Sequence, residues 1–421
     1  MRARTAAKPI RRQKSTQRLR FAVIGQGHFA QSAALPAFAR AKECELRALF
    51  SEDETKLRAL KRKYGVSAAL GYEQYDEYLR SGEVDAVYVT LPNDLHRDYV
   101  ERAARAGVHV LCAGSRFAKN DTPLVMEKVV LDLGAYIRHA KERWGYEHIV
   151  LCGWSGGGSL SLFYQAQAEK PTVTATPAGD PVDLRGLIPA DAMIFQAAHL
   201  SRARMLSEWI DPSVLDEADP DRRDLELDIY NPKCQNQPPY EQEFIVRFRA
   251  AQLDRLRRRT AWVKETLAML KRRGGDELER GFVTHRTMAD LRFMDPAIEP
   301  NDRKPRWCYL GKPETANTGP VGIGRFSTLR AWLSQWSVED SHADGPRSAA
   351  SITVPLLAIE NSADDAVPQP HARIIHDAAA SRDKTFRVIQ GATHYYQGQP
   401  ELLKQAVDTC LGWMDKQGLL D

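Results

Sequence analysis

The stretch LRFAVIGQGHFAQSAALPAFARA, residues 19–41, decides the fold of the first part of the chain. It opens with an apolar strand, Phe21–Ile24, turns through two glycines, and continues into a helical segment rich in Ala and Leu. In this G-x-G-x-x-A pattern Gly25 permits a tight turn, Gly27 lets backbone N–H groups approach a pyrophosphate, and Ala30 allows close helix–strand packing. The stretch therefore predicts a dinucleotide-binding turn.

Strand and helix patterns alternate from this turn to residue 112, which predicts a doubly wound parallel sheet. The second strand ends at Ser51, where NAD-binding domains carry an acid for the ribose 2′-OH. A hydroxyl here and the ammonium of Lys56 suit a 2′-phosphate, so NADP is favoured over NAD. The alternative for Lys56 is a solvated helix charge.

Residues 20–112 resemble the cofactor domain of the Gfo/Idh/MocA oxidoreductases. The motifs that carry the resemblance are GQGHFA, SEDETK, YDEYL, VTLPNDLH and AGVHVLC. The cofactor-binding residues that it implies are Gly25, Gly27, Ala30, Ser51, Lys56, Pro92 and Asn93. In that family the strand matching VHVLC runs into Glu-Lys-Pro, whose lysine serves catalysis at the nicotinamide. Here Ala113-Gly114-Ser115 follow Cys112, and no strand-rich substrate domain comes later.

A second decisive stretch is HIVLCGWSGGGSLSLFYQAQAE, residues 148–169. Ile149–Cys152 reads as a buried strand, and G-x-S-x-G follows it directly before a helical segment. This context predicts a nucleophile elbow, in which the Ser155 hydroxyl is exposed and the Gly156 N–H faces a developing oxyanion. The alternative is a glycine-rich structural loop. A helix with one apolar face, predicted from Thr122-Pro123 to Gly145, precedes the strand.

A serine nucleophile needs a histidine base and an acid that orients it, each following a late strand in this fold. The strand Val354–Glu360 leads to Asp364, which stands four residues before Pro368, and to Asp365 as the second choice. The last strand, Thr385–Ile389, leads to His394. The predicted triad is therefore Ser155, Asp364 and His394. His199 follows the strand AMIFQAA and is predicted as a core or loop histidine, with a place in the pocket as the alternative.

Residues 199–352 do not read as parallel sheet and are predicted to form a mainly helical lid. The segment from Pro238-Pro239 to Gly274-Gly275 reads as one long helix or a helix pair, with the arginines of 255–259 on solvated faces. Six aromatic residues are candidates either for an apolar pocket lining or for the core of the lid itself. They are Trp209, Tyr230, Trp307, Tyr309, Trp332 and Trp336.

Residues 115–421 resemble an α/β-hydrolase that lacks its first strands, and this resemblance implies the same triad. Such proteins carry His-Gly or Gly-Gly after the third strand to donate the second oxyanion N–H, and no such segment lies upstream of residue 115. Pro92, Asn93 and Gly114 are poor substitutes, so impaired activity is expected. If VHVLC served as the fourth hydrolase strand, FAVIG would occupy the flank that the serine strand needs. Either FAVIG is displaced or the serine strand pairs elsewhere.

Composition limits the other functions. Residues 1–20 hold eight Lys or Arg and no acid, so the net charge of +4 hides an acidic remainder and a disordered basic tail is expected at 1–19. The six cysteines are scattered, which indicates reduced thiols in a cytoplasm and no metal site. No apolar run is long enough to span a membrane. No nucleic-acid partner is expected.

The predicted fold class is α/β, with a Rossmann-like doubly wound parallel sheet joined to an incomplete α/β-hydrolase sheet with a mainly helical lid. The domains are 1–19 (tail), 20–112 (NAD(P)-binding), 113–198 (first hydrolase part), 199–352 (lid) and 353–421 (last hydrolase part). The predicted function is cofactor-free hydrolysis of a small-molecule ester, thioester or amide. The alternatives are an NAD(P)-dependent oxidoreductase of Gfo/Idh/MocA type and a nucleotide-binding fusion without catalysis.

Overall fold

The computed structural model describes residues 18–27, 30–41, 44–91, 98–99, 102–103, 106, 115–117, 120–299, 301–367 and 369–420. The chain divides into two compact units, 1–113 and 114–421. The predicted basic tail, except its last two residues, and the strand VHVLC lie outside the described residues.

The described part of the first unit is a parallel sheet with short helices. Its strands are β1 (Leu19–Ile24), β2 (Cys44–Phe50), β3 (Ala68–Leu70) and β4 (Ala86–Val89). Its helices are α1 (Leu35–Phe38), α2 (Glu54–Tyr64) and α3 (Tyr75–Arg80), with a π-helical turn at Ala30–Ala34 and a 3₁₀ turn at Tyr72–Gln74. All strand pairs are parallel and the order is β3-β2-β1-β4, as in a Rossmann half. The Rossmann-like part of the predicted fold class is thus confirmed.

Alternating residues of β1 bury both faces of this sheet. Ala22 and Ile24 pack with Phe50 and Tyr75 on one face, whereas Val23 packs with Leu57 and its neighbours on the other. A strand that is apolar on both sides is what a sheet covered by helices on both faces requires.

The second unit holds two sheets. Its strands are β5 (Val150–Ser155), β6 (Ala192–Ala198), β7 (Gly281–Val283), β8 (Phe326–Thr328), β9 (Leu356–Asn361) and β10 (Lys384–Ile389). The larger sheet is parallel with order β10-β9-β6-β5, and β7 and β8 form an antiparallel pair. Since catalytic loops follow the carboxyl ends of parallel strands, this order brings the loops after β5, β9 and β10 to one edge.

Helices cover both faces of the larger sheet and fill the segment between β6 and β9. They are α4 (Met126–Trp144), α5 (Gly157–Glu169), α6 (Arg202–Trp209), α7 (Gln242–Arg273), α8 (Leu291–Met294), α9 (Pro313–Thr318), α10 (Leu329–Gln335), α11 (Gly345–Ala349), α12 (His371–Ala378) and α13 (Pro400–Lys416), with a 3₁₀ turn at Pro296–Ile298. Met193 and Phe195 of β6 pack with α4 and α5. Ala192 and Ile194 pack with α13.

The sequence hypothesis that FAVIG is displaced is wrong. β1 keeps its place between β2 and β4, and the partner of the serine strand β5 is β6. Among the described strands, β5 therefore pairs with neither β1 nor β4. The alternative, in which the serine strand belongs to a separate sheet, is the one that the structure has.

The predicted start of α4 at Thr122-Pro123 is also wrong. Residues 121–124 form a turn, in which the Leu124 N–H donates to the Asp121 carbonyl. The helix begins only at Met126, because the Ser334 hydroxyl accepts the Met126 N–H and fixes the first turn from a distant part of the chain. Its end at Gly145, which has a left-handed φ of 71°, agrees with the predicted stop.

The segment from Pro238-Pro239 to Gly274-Gly275 forms one helix, α7, rather than a pair. Its arginines are not all on solvated faces as expected. Arg255 is buried because its guanidinium donates to Glu217 and to the backbone carbonyls of residues 211, 285 and 286. Arg259 packs over two aromatic rings. None of the described helices combines the length and apolar character needed to cross a membrane.

Close packing of the turn after β5 gives a test of the fold. A Cβ atom on Gly158 would lie 2.6 Å from Cβ of Ala198 and 2.9 Å from the His199 carbonyl oxygen, whereas a Cβ on Gly157 would meet no described residue within 4 Å. Gly158→Ala should therefore lower the free energy of unfolding by about 1–3 kcal/mol. Gly157→Ala, the matched control, should change it by less than about 0.5 kcal/mol. Urea unfolding of both variants measures the difference, and equal stabilities would contradict this packing.

Candidate active site

Ser155 lies at the sharp turn between β5 and α5. Its φ of 52° is in the left-handed region, and the register of β5 against β6 shifts between Trp154 and Ser155. A non-glycine residue in this conformation costs about 1–3 kcal/mol and persists only where the surrounding structure enforces it. Gly156 follows as the residue that precedes α5, so the backbone N–H groups at the start of this helix lie beside the serine.

His394 and Asp364 form a buried pair. Nδ1 of His394 lies 3.1 Å from each of the two carboxylate oxygens of Asp364. The carboxylate is held in turn, because its Oδ1 accepts the backbone N–H groups of Ala366 at 2.8 Å and Val367 at 2.7 Å. This arrangement orients the imidazole with its Nε2 directed away from the acid.

Asp365 has a different role from Asp364. Its Oδ1 accepts the backbone N–H of His394 at 3.3 Å, and its carbonyl accepts the N–H of Tyr309. Burial raises the pKa of the Asp365 carboxyl. Of the two acids that the sequence left open, Asp364 is the one in contact with the imidazole ring.

Nε2 of His394 is buried and makes no hydrogen bond. The rings of Tyr395, Trp154 and Tyr309 surround the imidazole, with centroids 4.6, 6.2 and 6.3 Å away. The hydrogen bond from the Ser155 hydroxyl to this nitrogen is thus not formed in this structure. Such bonds often tighten only when substrate is bound.

One cavity of about 410 Å³ brings Ser155, Gly156 and His394 together. Of the six aromatic candidates, Trp209, Tyr309 and Trp336 line it. Trp332 belongs to the core of the segment between β6 and β9, and Trp307 is exposed. Tyr230 is half-buried, and its hydroxyl donates to the Met288 carbonyl.

His199 lines the cavity rather than the core. Its N–H donates to the Ser155 carbonyl at 3.2 Å, and its Nε2 lies 3.4 Å from the position that a Cβ on Gly156 would take. Burial, the Arg202 guanidinium and two neighbouring histidines hold the pKa of His199 well below its usual range, so its imidazole is neutral. The structure agrees with the alternative that placed His199 in the pocket.

Three further groups of cavity residues were missed by the sequence reasoning. They are Asp121 and Thr122 before α4, Arg202 and Met205 of α6, and the glycine-rich run 320–326. Asp121 and Thr122 were interpreted as the start of a helix, and no motif marks the other two groups. For these two groups, only their position after β6, where hydrolase lids insert, could have indicated a place in the cavity.

The first unit presents its glycine turn as predicted. Gly25 has φ +88°, and a Cβ there would lie 2.9 Å from the Leu91 nitrogen, so glycine is required. Among the described residues, a Cβ on Gly27 would meet nothing within 4 Å, at the position where the motif places a pyrophosphate. Ala30 is fully buried beneath the turn. These residues fit a dinucleotide.

Ser51 and Lys56 lie beyond the end of β2. The Ser51 hydroxyl accepts the Asp53 N–H, and the Lys56 ammonium pairs with the Asp53 carboxylate at 3.3 Å. The Lys56 backbone N–H also donates to Asp53, and this bond lowers the pKa of the Asp53 carboxyl. Pro92 and Asn93, the remaining predicted cofactor residues, lie outside the described residues.

The described residues give little basis for a metal site or a disulfide. No group of three His, Cys, Asp or Glu side chains there could hold a metal ion. The five cysteines within these ranges are free thiols, and Cys112 lies outside them.

Residues 19–113 match the model of a family described as GFO_IDH_MocA, the oxidoreductase family with an NAD-binding Rossmann fold. The chain is 33% identical over 120 residues to D-xylose 1-dehydrogenase (NADP(+)) 2 of Haloferax volcanii, which covers 28% of this chain and 36% of that protein. It is 41% identical over 98 residues to dTDP-3,4-didehydro-2,6-dideoxy-alpha-D-glucose 3-reductase of Streptomyces violaceoruber, covering 23% and 28%. A crystal structure of the 3-ketoreductase KijD10 from Actinomadura kijaniata with NADP and TDP-benzene matches at 30% identity and a TM-score of 0.23, covering 29% and 35%.

The first unit is a Gfo/Idh/MocA-type NAD(P)-binding Rossmann domain. The chain spans only about a third of the length of these curated relatives. For the part that they cover, the relatives favour the oxidoreductase alternative. They give no support to the hydrolase interpretation, which rests on the geometry of the second unit alone.

Acid stability tests the electrostatics next to the site. His371, at the start of α12, lies 3.8 Å from Glu208, and burial lowers the pKa of His371 to about 4. The unfolded chain takes up this proton near pH 6.5, so the free energy of unfolding should fall as the pH is lowered from about 6.5 to about 4. His371→Asn should flatten the curve in this window by up to about 1.4 kcal/mol per pH unit.

Urea unfolding at half-unit pH steps measures both curves. At pH 7.5 the imidazole of His371 is neutral in both the folded and the unfolded chain. The difference in the free energy of unfolding between wild type and His371→Asn at this pH therefore reports packing alone and serves as the reference. Parallel curves between pH 6.5 and 4 would contradict a buried neutral His371.

Proposed function

We propose that the second unit, residues 114–421, is a serine hydrolase that cleaves an ester, thioester or amide. The observation that carries the proposal is the combination of a left-handed Ser155 on a strand-to-helix turn with an acid-oriented His394 on the same cavity. A serine hydroxyl attacks acyl carbons once a base removes its proton. The family model matches residues 19–113, outside this unit, so activity on any substrate is a proposal.

The proposed reaction has two halves. His394 Nε2 takes the Ser155 proton while Oγ bonds to the acyl carbon, and the carbonyl electrons move to oxygen. The Gly156 N–H stabilises this oxyanion. The imidazolium, held by Asp364, then gives its proton to the leaving group as the bond to it breaks. Water attacks the acyl-enzyme by the same proton transfers, which releases the acid and restores Ser155.

Substitution of the triad tests this proposal. Ser155→Ala and His394→Gln should each lower kcat for p-nitrophenyl acetate by at least about 10⁴-fold, because nucleophile and base act as one unit. Asp364→Asn should lower it by about 10³- to 10⁴-fold through loss of the imidazole orientation. Release of p-nitrophenol, with its pre-steady-state burst, measures all three.

Asp365→Asn is the matched control, since the Asp365 carboxylate accepts the backbone N–H of His394, whereas Asp364 contacts the imidazole ring. It should change kcat by less than about tenfold. Equal losses in Asp364→Asn and Asp365→Asn would overturn the assignment of the acid. Wild-type activity in Ser155→Ala, or no ester hydrolysis by folded wild type, would overturn the hydrolase proposal.

A second candidate function is that of an NAD(P)-dependent oxidoreductase, and the family match of residues 19–113 favours it. A nicotinamide cofactor held by the first unit would supply hydride exchange with a substrate. Residues 113–115, which stand where the resemblance places Glu-Lys-Pro, offer no lysine for the proton transfer that accompanies it. Cofactor binding without hydride transfer is therefore the form of this function that the residues favour.

We further propose a preference for NADP. Ser51 offers a hydroxyl at the end of β2, and Lys56 offers a half-exposed ammonium on the first turn of α2. The Haloferax relative is named for its use of NADP(+). Asp53 competes for the ammonium, so the gain from a 2′-phosphate is moderate.

Cofactor titrations test the first unit. Lys56→Gln should weaken NADPH binding by about tenfold and leave NADH binding unchanged, because one charge-assisted contact is lost. Lys61→Gln, on an exposed part of the same helix, is the control. Gly27→Trp should abolish binding of both cofactors without unfolding the unit, since no described residue lies within 4 Å of a Cβ there.

NADPH fluorescence enhancement measures the binding, and circular dichroism checks the fold. Tight NADPH binding by Gly27→Trp would place the dinucleotide elsewhere. Reduction of bound NADP by a sugar or polyol would establish the oxidoreductase function in this chain.

A further inference from the structure

We infer that Arg202 is an anion-binding residue of the active-site cavity, so that the acyl part of the substrate carries a carboxylate close to the scissile carbonyl. The inference rests on the proposed hydrolase function and deepens it by naming the substrate class. Arg202 is a half-buried cation whose hydrogen-bonding capacity is only partly used by the described residues.

The Arg202 guanidinium is fixed from one side. Its Nη1 donates to Oε1 of Gln335 at 2.6 Å, and Gln335 is anchored by its own amide, which donates to the Leu124 carbonyl at 2.8 Å. The guanidinium also packs over the Trp336 ring, with its central carbon 5.7 Å from the ring centroid. Its orientation is therefore set before any ligand binds.

The opposite edge of the guanidinium faces the nucleophile turn. Nη2 and Nε lie 3.3 and 3.7 Å from the position that a Cβ on Gly156 would take, and neither donates a hydrogen bond to a described residue. This Nε–Nη2 edge is the one that binds two oxygens of a carboxylate in parallel. Because residue 156 is glycine, no side chain fills the space between this edge and the oxyanion position.

Arg202 also has no protein counter-ion within ion-pair distance among the described residues. Asp121 lies on the cavity wall and attracts the guanidinium only at longer range. Burial lowers the pKa of Arg202, as expected for a cation that is incompletely compensated. An anionic ligand would supply the missing charge.

A second arginine on the cavity, by contrast, uses both of its Nη groups to donate hydrogen bonds within the protein. Arg325 donates to the carbonyls of Gly319 and Asn317 and to the Thr287 hydroxyl. Its role is to hold the run 320–326 in place. Of the charged residues that line the cavity, Arg202 is thus the one with a free bidentate edge, and the neutral His199 beside it adds a polar group without opposing charge.

Paired substrates test the inference in the full chain. Wild type should prefer mono-p-nitrophenyl succinate, whose acyl chain ends in a carboxylate, over p-nitrophenyl acetate in kcat/KM. Arg202→Gln should lower this preference by roughly 100-fold, as expected for a partly buried charge pair that loses one partner. Arg204→Gln, an exposed arginine on the same helix paired with Asp344, should leave the preference unchanged.

Arg202→Lys keeps the charge and the alkyl stem but lacks the bidentate edge, so it tests the same point if Arg202→Gln fails to fold. It should lower the preference by a smaller factor than Arg202→Gln. An equal fall in kcat for both esters would mean that Arg202 acts on the oxyanion, and this would overturn the inference. A wild type that does not prefer the succinyl ester would also overturn it.

Binding separates this inference from the hydrolase proposal. Calorimetric titration of Ser155→Ala with succinate should show binding that is lost in the Ser155→Ala/Arg202→Gln double variant. If no ester is hydrolysed but Arg202-dependent succinate binding is present, the anion site stands and the hydrolase proposal fails. If wild type hydrolyses p-nitrophenyl acetate but Ser155→Ala binds no succinate, the hydrolase proposal stands and the anion site fails.

Discussion

The left-handed backbone at Ser155 is the constraint on which the second unit depends. A side chain on the outside of so sharp a turn is possible only if the residues around it are small. A Cβ on Gly153 would lie 3.0 Å from the Gly157 carbonyl oxygen, and one on Gly158 would collide with Ala198. The burial of β5 against β6 holds the strain in place, and the serine hydroxyl is thereby presented at the carboxyl edge of the sheet.

Burial then determines the charges that surround the serine. His199 and His371 are held neutral, and the side chain of His394 is enclosed by Asp364 and aromatic rings. In such a low-dielectric setting one uncompensated guanidinium has a stronger effect than several exposed ones would have. We therefore expect Arg202 to influence which acyl groups the cavity accepts, whereas the many exposed ion pairs of the segment between β6 and β9 contribute little.

Local sequence patterns predicted the strands and the turn residues because period and glycine placement act within a few residues. Gly25, Gly27, Ser155, Asp364 and His394 were all predicted in this way. The start of α4, by contrast, depends on the distant Ser334, and the burial of Arg255 depends on carbonyls brought together by tertiary packing. The cavity role of Arg202 depends on Gln335, 133 residues further along the chain. Contacts of this range leave no periodic signal in the sequence.

Covalent labelling tests the central claim, that Ser155 is an activated nucleophile, most directly. A fluorophosphonate reacts with a serine only where a base takes its proton and an oxyanion is stabilised, as in serine hydrolases. Incubation of the full chain with this reagent, followed by mass spectrometry of the intact protein and its peptides, should find about one adduct per chain, on the peptide that contains Ser155. A folded chain that remains unlabelled, or an adduct on another residue that persists in Ser155→Ala, would contradict the account.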